Sequence, residues 1–172
     1  MTPLDLIWNG WRMRYIEDAG AASAAPATAE GSVFTQILNS GLPDEETYIV
    51  HRGEHTFALL NAFPYTTGHL MVLPYREISG LEDLDGDEAP ELWATVTEAV
   101  VAVKAAYLPG GVNVGINLGR SAGGSISEHL HVHVVPRWTG DGNFMTAIAN
   151  ARTLPEPLAD SARRLRAAWP AR

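Results

Sequence analysis

The run Glu128-His129-Leu130-His131-Val132-His133-Val134-Val135-Pro136-Arg137 constrains the fold of this chain more than any other stretch. Leu130, Val132 and Val134 alternate with three histidines, and successive side chains of a β-strand point to opposite faces. A strand over 129–135 buries its aliphatics on one side and brings His129, His131 and His133 together on the other. Imidazole has the side-chain pKa nearest neutrality, so such a row can supply a nucleophile, a proton donor and a partner for phosphate together.

The histidines alone leave three readings. One is a half-exposed sheet face with no shared task. A second is a metal site, because a His-x-His pair on a strand can hold zinc, with a third ligand from His133 or elsewhere. The third is phosphoryl or nucleotidyl transfer, with one imidazole attacking phosphorus while its neighbours bind oxygens. The preceding segment, Asn117-Leu118-Gly119-Arg120-Ser121-Ala122-Gly123-Gly124-Ser125, reads as a strand end followed by a glycine-rich loop. Backbone N–H groups of such a loop approach an anion without interference from Cβ atoms, which favours the third reading.

The row 129–135 matches in full the pattern His-φ-His-φ-His-φ-φ, and with the loop before it the chain resembles the histidine triad (HIT) superfamily of nucleotide hydrolases and transferases. Phe57-Ala58-Leu59-Leu60-Asn61 and Gly68-His69-Leu70-Met71-Val72-Leu73-Pro74 match the superfamily's upstream strand, nucleotide loop and Gly-His strand. The resemblance implies His131 as the nucleophile that becomes nucleotidylated, with His129 and His133 orienting it and binding phosphate. It implies Asn61 as a ribose contact, Phe63 and Tyr65 as walls of a base pocket, and His69 as a hydrogen-bonding support for the triad. Asn117, Gly124 and Ser125 complete the expected substrate contacts, with Ser125 near the leaving group. The lead-in Ser121 to Glu128 departs from the usual Gly-Gln-x-φ-x-His and lacks the glutamine. With Leu6-Ile7-Trp8, Pro74-Tyr75-Arg76, Pro136-Arg137-Trp138 and Gly140-Asp141-Gly142-Asn143-Phe144, it is similar instead to actinobacterial-type diadenosine tetraphosphate (Ap4A) phosphorylases of the superfamily. That implies cleavage of Ap4A by inorganic phosphate to ATP and ADP. The alternatives are hydrolysis of dinucleoside polyphosphates or nucleoside phosphoramidates, and a nucleotide-binding regulatory module without turnover. No cofactor or metal is required by this chemistry, and the family implies a homodimer or homotetramer.

The fold expected is α+β: a HIT-like five-stranded antiparallel sheet with one long helix between strands three and four, plus terminal helices. Strands are read over 47–52, 55–61, 69–74, 112–117 and 129–135, with a tight turn at Gly53-Glu54. His51 and His55 beside that turn read as solvated or structural. The long helix spans 87–107, with Leu92, Trp93, Val96, Ala99, Val100, Val103 and Tyr107 on its apolar face. Asp87, Glu88 and Glu91 read as its acidic start and solvated face. An N-terminal helix is read over 4–18, a linker over 19–32 and a helical turn over 33–38. A C-terminal helix over 156–169 packs Leu158, Leu165 and Trp169 and turns Arg163, Arg164 and Arg166 to solvent. The divisions are 1–40, N-terminal helix and linker; 41–150, the HIT domain; and 151–172, the C-terminal helix.

Composition sets the remaining bounds. The chain has 172 residues, a formal net charge of −8 and no cysteine, which excludes thiolate chemistry, disulfides and cysteine-based zinc sites. The charge opposes a nucleic-acid partner, which needs a basic field, but not a small nucleotide held locally. No apolar run approaches the ~18 residues of a membrane span. A cytoplasmic protein with no membrane partner is expected.

Overall fold

The computed structural model describes residues 31–124, 126–142 and 156–171. The expected N-terminal helix over 4–18, most of the linker, Ser125, and Asn143 with Phe144 lie outside the described residues.

Five strands, β1 (Ile49–Arg52), β2 (Thr56–Leu60), β3 (Leu70–Pro74), β4 (Gly111–Ile116) and β5 (Val132–Arg137), form one antiparallel sheet in the order β1-β2-β3-β5-β4. Four α-helices accompany it among the described residues: α1 (Val33–Leu38), α2 (Asp44–Thr47), α3 (Glu88–Tyr107) and α4 (Leu158–Ala168). The long α3 lies between β3 and β4, as expected. No helix among the described residues is long and apolar enough to cross a membrane.

The order places β5 in the interior of the sheet, where His133 is opposite Met71 of β3 and Gly115 of β4. Alternation then divides the core. Val132 and Val134 join Leu70, Val72, Ala58 and Leu60 against Leu92, Val96, Ala99 and Val103 of α3 and Leu165 of α4. Fully burying a side chain such as Leu70 or Leu92 is worth roughly 1.5–3 kcal/mol. The opposite face carries Ile49, Phe57, Leu59, Met71 and Leu73, capped by Phe34 from α1. The triad lies on this second face.

Several local expectations are corrected. The fifth strand starts at Val132, so His129, Leu130 and His131 form its approach rather than part of its ladder. Thr47 ends the one-turn helix α2, and Tyr48 is left-handed at φ 59°, so the first strand begins only at Ile49. Trp93 is 48 % exposed, whereas Thr95 and Ala102 complete the buried face of α3.

The acidic start of α3 is a solvated face only at Asp87, which is exposed. Glu88 is buried and receives Nε and Nη2 of Arg76 at 2.7 and 2.6 Å. Glu91 accepts the backbone N–H of His55 at 3.0 Å and of Thr56 at 3.1 Å, closing the β1–β2 turn. Asp85 caps the helix, accepting from the Glu88 N–H at 2.8 Å. Arg163 and Arg164 are exposed, but Arg166 turns inward and donates from Nε to the Ile49 carbonyl at 2.9 Å, tying α4 to β1. His51 is structural as read: its ring stacks on Trp169 at 4.7 Å.

Candidate active site

The three histidines gather where β5 enters the sheet. Leu130 N–H donates to the Ile78 carbonyl at 2.6 Å, which fixes the approach segment while the Leu130 side chain enters the core. The imidazole of His131 then lies beside that of His133, ring centroids 4.9 Å apart and nearly perpendicular. Phe34 packs on both His129 and His131 at 5.5 Å.

Hydrogen bonds fix the protonation of each ring, because a carbonyl oxygen can only accept. His131 Nδ1 is 2.7 Å from the His129 carbonyl, so Nδ1 carries the proton. Burial holds the His131 pKa below the ordinary histidine value, the ring stays neutral, and Nε2 keeps its lone pair. His129 Nε2 is 2.9 Å from the Pro74 carbonyl and therefore carries the proton. Its Nδ1 is 2.8 Å from Ser32 Oγ. Burial lowers this pKa as well, so Nδ1 of the neutral ring accepts from the Ser32 hydroxyl.

His133 is set through His69. Tyr65 N–H donates to His69 Nδ1 at 3.1 Å, which leaves the proton of the neutral ring on Nε2. That nitrogen is 3.0 Å from His133 Nδ1 and donates to it. His133 must then carry its own proton on Nε2. Burial, followed by the neighbouring His131, pushes the His133 pKa down to about 4. The row therefore sets a bare nitrogen on His131 beside an N–H donor on His133, with no net charge on either ring at neutral pH.

His69 meets the row through this hydrogen bond to His133. His69 is fully buried, and Gly68 before it has φ +77°, where a Cβ would stand only 2.6 Å from the Tyr107 ring, so both conformation and space call for glycine there. His133 opens onto a cavity of about 980 Å³ whose walls include Tyr65, Asn117, Tyr107, Arg137 and Trp138. Asn117 and Tyr65 thus meet the row across this space. His129, His131, Gly124, Asn61 and Phe63 are not among its walls. Asn61 Oδ1 accepts from the Phe63 N–H at 2.9 Å and shapes the loop, while the Phe63 side chain is 84 % exposed. Gly124 is buried, and a Cβ there would come within 3.2 Å of the Asn117 and Gly119 carbonyls, so the loop closes tightly on the end of β4.

Sequence reasoning missed Ser32, Phe34, Glu77 and the Pro74 carbonyl. A serine just before an apolar helical turn signals a helix N-cap, and Ser32 Oγ does accept from Thr35 N–H at 3.2 Å. Nothing in that signal points to a histidine 97 residues away.

The HIT domain model matches residues 43–140. The chain belongs to the HIT family. This HIT protein is 47% identical over 171 residues to the AP-4-A phosphorylase of Mycobacterium tuberculosis, covering 96% of this chain and 85% of that relative. Among solved structures it resembles a HIT-like protein of Bartonella henselae involved in cell-cycle regulation, at TM-score 0.67 and 25% identity, covering 83% and 98% of the two chains. It also resembles a hypothetical histidine triad nucleotide-binding protein of Sulfolobus tokodaii, at TM-score 0.65 and 29% identity, covering 80% and 91%.

Proposed function

We propose that this HIT protein is a nucleotidyltransferase of dinucleoside polyphosphates that cleaves Ap4A with inorganic phosphate to give ATP and ADP. The observation that carries the reading is the pairing of a bare Nε2 on His131 with a protonated Nε2 on His133. The similarity to the mycobacterial AP-4-A phosphorylase supports the choice of substrate and acceptor.

In the first step the His131 Nε2 lone pair attacks the α-phosphorus, an N–P bond forms, and the P–O bond to the departing ATP breaks. His133 Nε2–H donates to a phosphoryl oxygen as charge builds there, and because its orientation is held by His69 it needs little rearrangement. In the second step an oxygen of inorganic phosphate attacks the adenylyl-histidine, the N–P bond breaks, and ADP leaves with His131 restored. Burial keeps His131 neutral and nucleophilic near pH 7. No organic cofactor or metal is invoked.

Asn117, Tyr65, Gly124 and Ser125 are the substrate contacts of this reading, with Asn61 and Phe63 on the nucleoside side. Among the described residues β4 is an edge strand paired only with β5, and its Asn113, Val114 and Gly115 are exposed. An open edge suits association of two copies, so the protein acts as a homodimer or homotetramer in this proposal.

The test is product analysis of Ap4A with and without phosphate, together with a mass measurement of quenched protein. ATP plus ADP only with phosphate, and an adenylyl adduct on His131, are the expected results. Products appearing equally without phosphate would make the protein a hydrolase. Nucleotide binding with neither turnover nor adduct would leave a binding module.

A further inference from the structure

Outside the reacting pair, a polar network that is buried at Ser32 and His129 and exposed at Glu77 joins α1 to the triad. Ser32 is 3 % exposed and His129 is 1 % exposed, and their side chains meet at 2.8 Å. Ser32 N–H donates to Glu77 Oε2 at 2.7 Å, and the Thr35 hydroxyl donates to the same oxygen. Glu77 is held below the usual carboxylate range, chiefly by that Thr35 hydroxyl and then by the Ser32 N–H, so it is an anion. Ser32 Oγ also lies 3.3 Å from Thr35 Oγ1, but the shorter contact, at 2.8 Å, carries its proton to His129, so the network runs Thr35 N–H to Ser32 Oγ, Ser32 O–H to His129 Nδ1, and His129 Nε2–H to Pro74 O.

Both ring nitrogens of His129 are therefore engaged by protein groups rather than turned toward the cavity. Its backbone carbonyl, however, is the acceptor that keeps the proton of His131 on Nδ1. Whatever orients residue 129 therefore orients the bare nitrogen of His131.

We propose that Ser32, anchored by Glu77, is a positioning residue for the transfer reaction and acts through His129 to hold the His131 ring in its reactive orientation. A serine at a helix start otherwise serves only to cap the helix, and the two roles make different demands. Glycine replaces serine as an N-cap with little loss, but has no hydroxyl for His129. Threonine keeps both functions.

The experiment compares Ser32→Gly, Ser32→Ala and Ser32→Thr in the full chain by single-turnover adenylylation and by ¹⁵N spectroscopy of the histidine rings. Ser32→Gly and Ser32→Ala are expected to lower the rate constant by roughly tenfold, the effect of one hydrogen bond, with substrate affinity little changed. Their His129 Nδ1 resonance moves toward the unbonded, pyridine-type value, and Ser32→Thr recovers both rate and resonance. The kinetic arm rests on the proposed nucleotidyl transfer, whereas the spectroscopic arm does not, so failure of the two is distinguishable. Wild-type behaviour of Ser32→Gly in both arms would reduce Ser32 to a cap and overturn the proposal. So would a rate loss in Ser32→Gly with an unshifted His129 resonance.

Discussion

On one face of β5, Val132 and Val134 are wholly enclosed between sheet and helices with no side-chain polar atom to satisfy; on the opposite side of the sheet, just before the strand begins, His131 is enclosed almost as completely and needs a partner for its N–H. The aliphatic face contributes stability through area removed from water, and any residue of similar volume would serve nearly as well. The histidine face costs desolvation, which is offset by bonds to the His129 and Pro74 carbonyls, Ser32 and His69. The difference shows where each kind of information resides. Aliphatic burial fixes the register of β5, and the hydrogen bonds fix which nitrogen of each ring carries a proton.

The sharpest way to break this contrast is His131→Asn. The nucleotidyl-transfer rate should fall by on the order of 10⁴-fold or more, while the urea midpoint changes little. A variant that retains transfer would remove the chemical meaning of the histidine face. The converse substitution is Leu92→Ala on α3, a residue with no exposed surface. It should cost about 2–5 kcal/mol in urea unfolding and leave the single-turnover rate of folded molecules unaltered.

Mild acid should act first on the histidine face, before the carboxylates with lowered pKa, such as Glu88, are reached. Histidine titrates near 6.5 in an unfolded chain, whereas His133 is pushed down to about 4, and His129 and His131 are lowered as well. Between these values the unfolded chain holds protons that the folded one lacks, so this contribution lowers stability as pH drops from about 6.5 to about 4 and levels below. His133→Asn should flatten part of that slope in urea midpoints compared at pH 7 and pH 5. An unchanged slope would mean that His133 is not kept neutral by its surroundings. The smallest effects belong to α4, which covers the aliphatic face. Arg166→Ala leaves the Ile49 carbonyl without its side-chain donor and should cost about 1–2 kcal/mol, whereas the exposed Arg163–Asp160 pair should contribute less than about 0.5 kcal/mol. Equal thermal shifts for the two variants would contradict the inward role of Arg166.

Much of the architecture was legible. The apolar period of 3 to 4 residues gave α3 to within a residue, and the alternation of 129–135 placed the valines in the core and the imidazoles opposite them. Errors arose where a side chain's fate is set by a distant partner. Glu88 has the composition of a solvated helix start, yet Arg76 draws it inside. Arg166 resembles its neighbours Arg163 and Arg164, yet it alone meets the carbonyls of Ile49 and Asp44. Trp93 fits the apolar stripe by type, but the helix surface that faces the sheet is narrower than the stripe.

The sequence by itself determined the histidine row and the antiparallel sheet with its long helix, because periodicity and motif spacing are local properties of the chain. Only the tertiary structure decided the protonation of each ring. That depends on Pro74, His69 and Ser32, brought within hydrogen-bond distance across separations of 55, 64 and 97 residues. A hydrogen bond at such a separation leaves no trace in local spacing, because it exists only after β3, β5 and α1 have packed together.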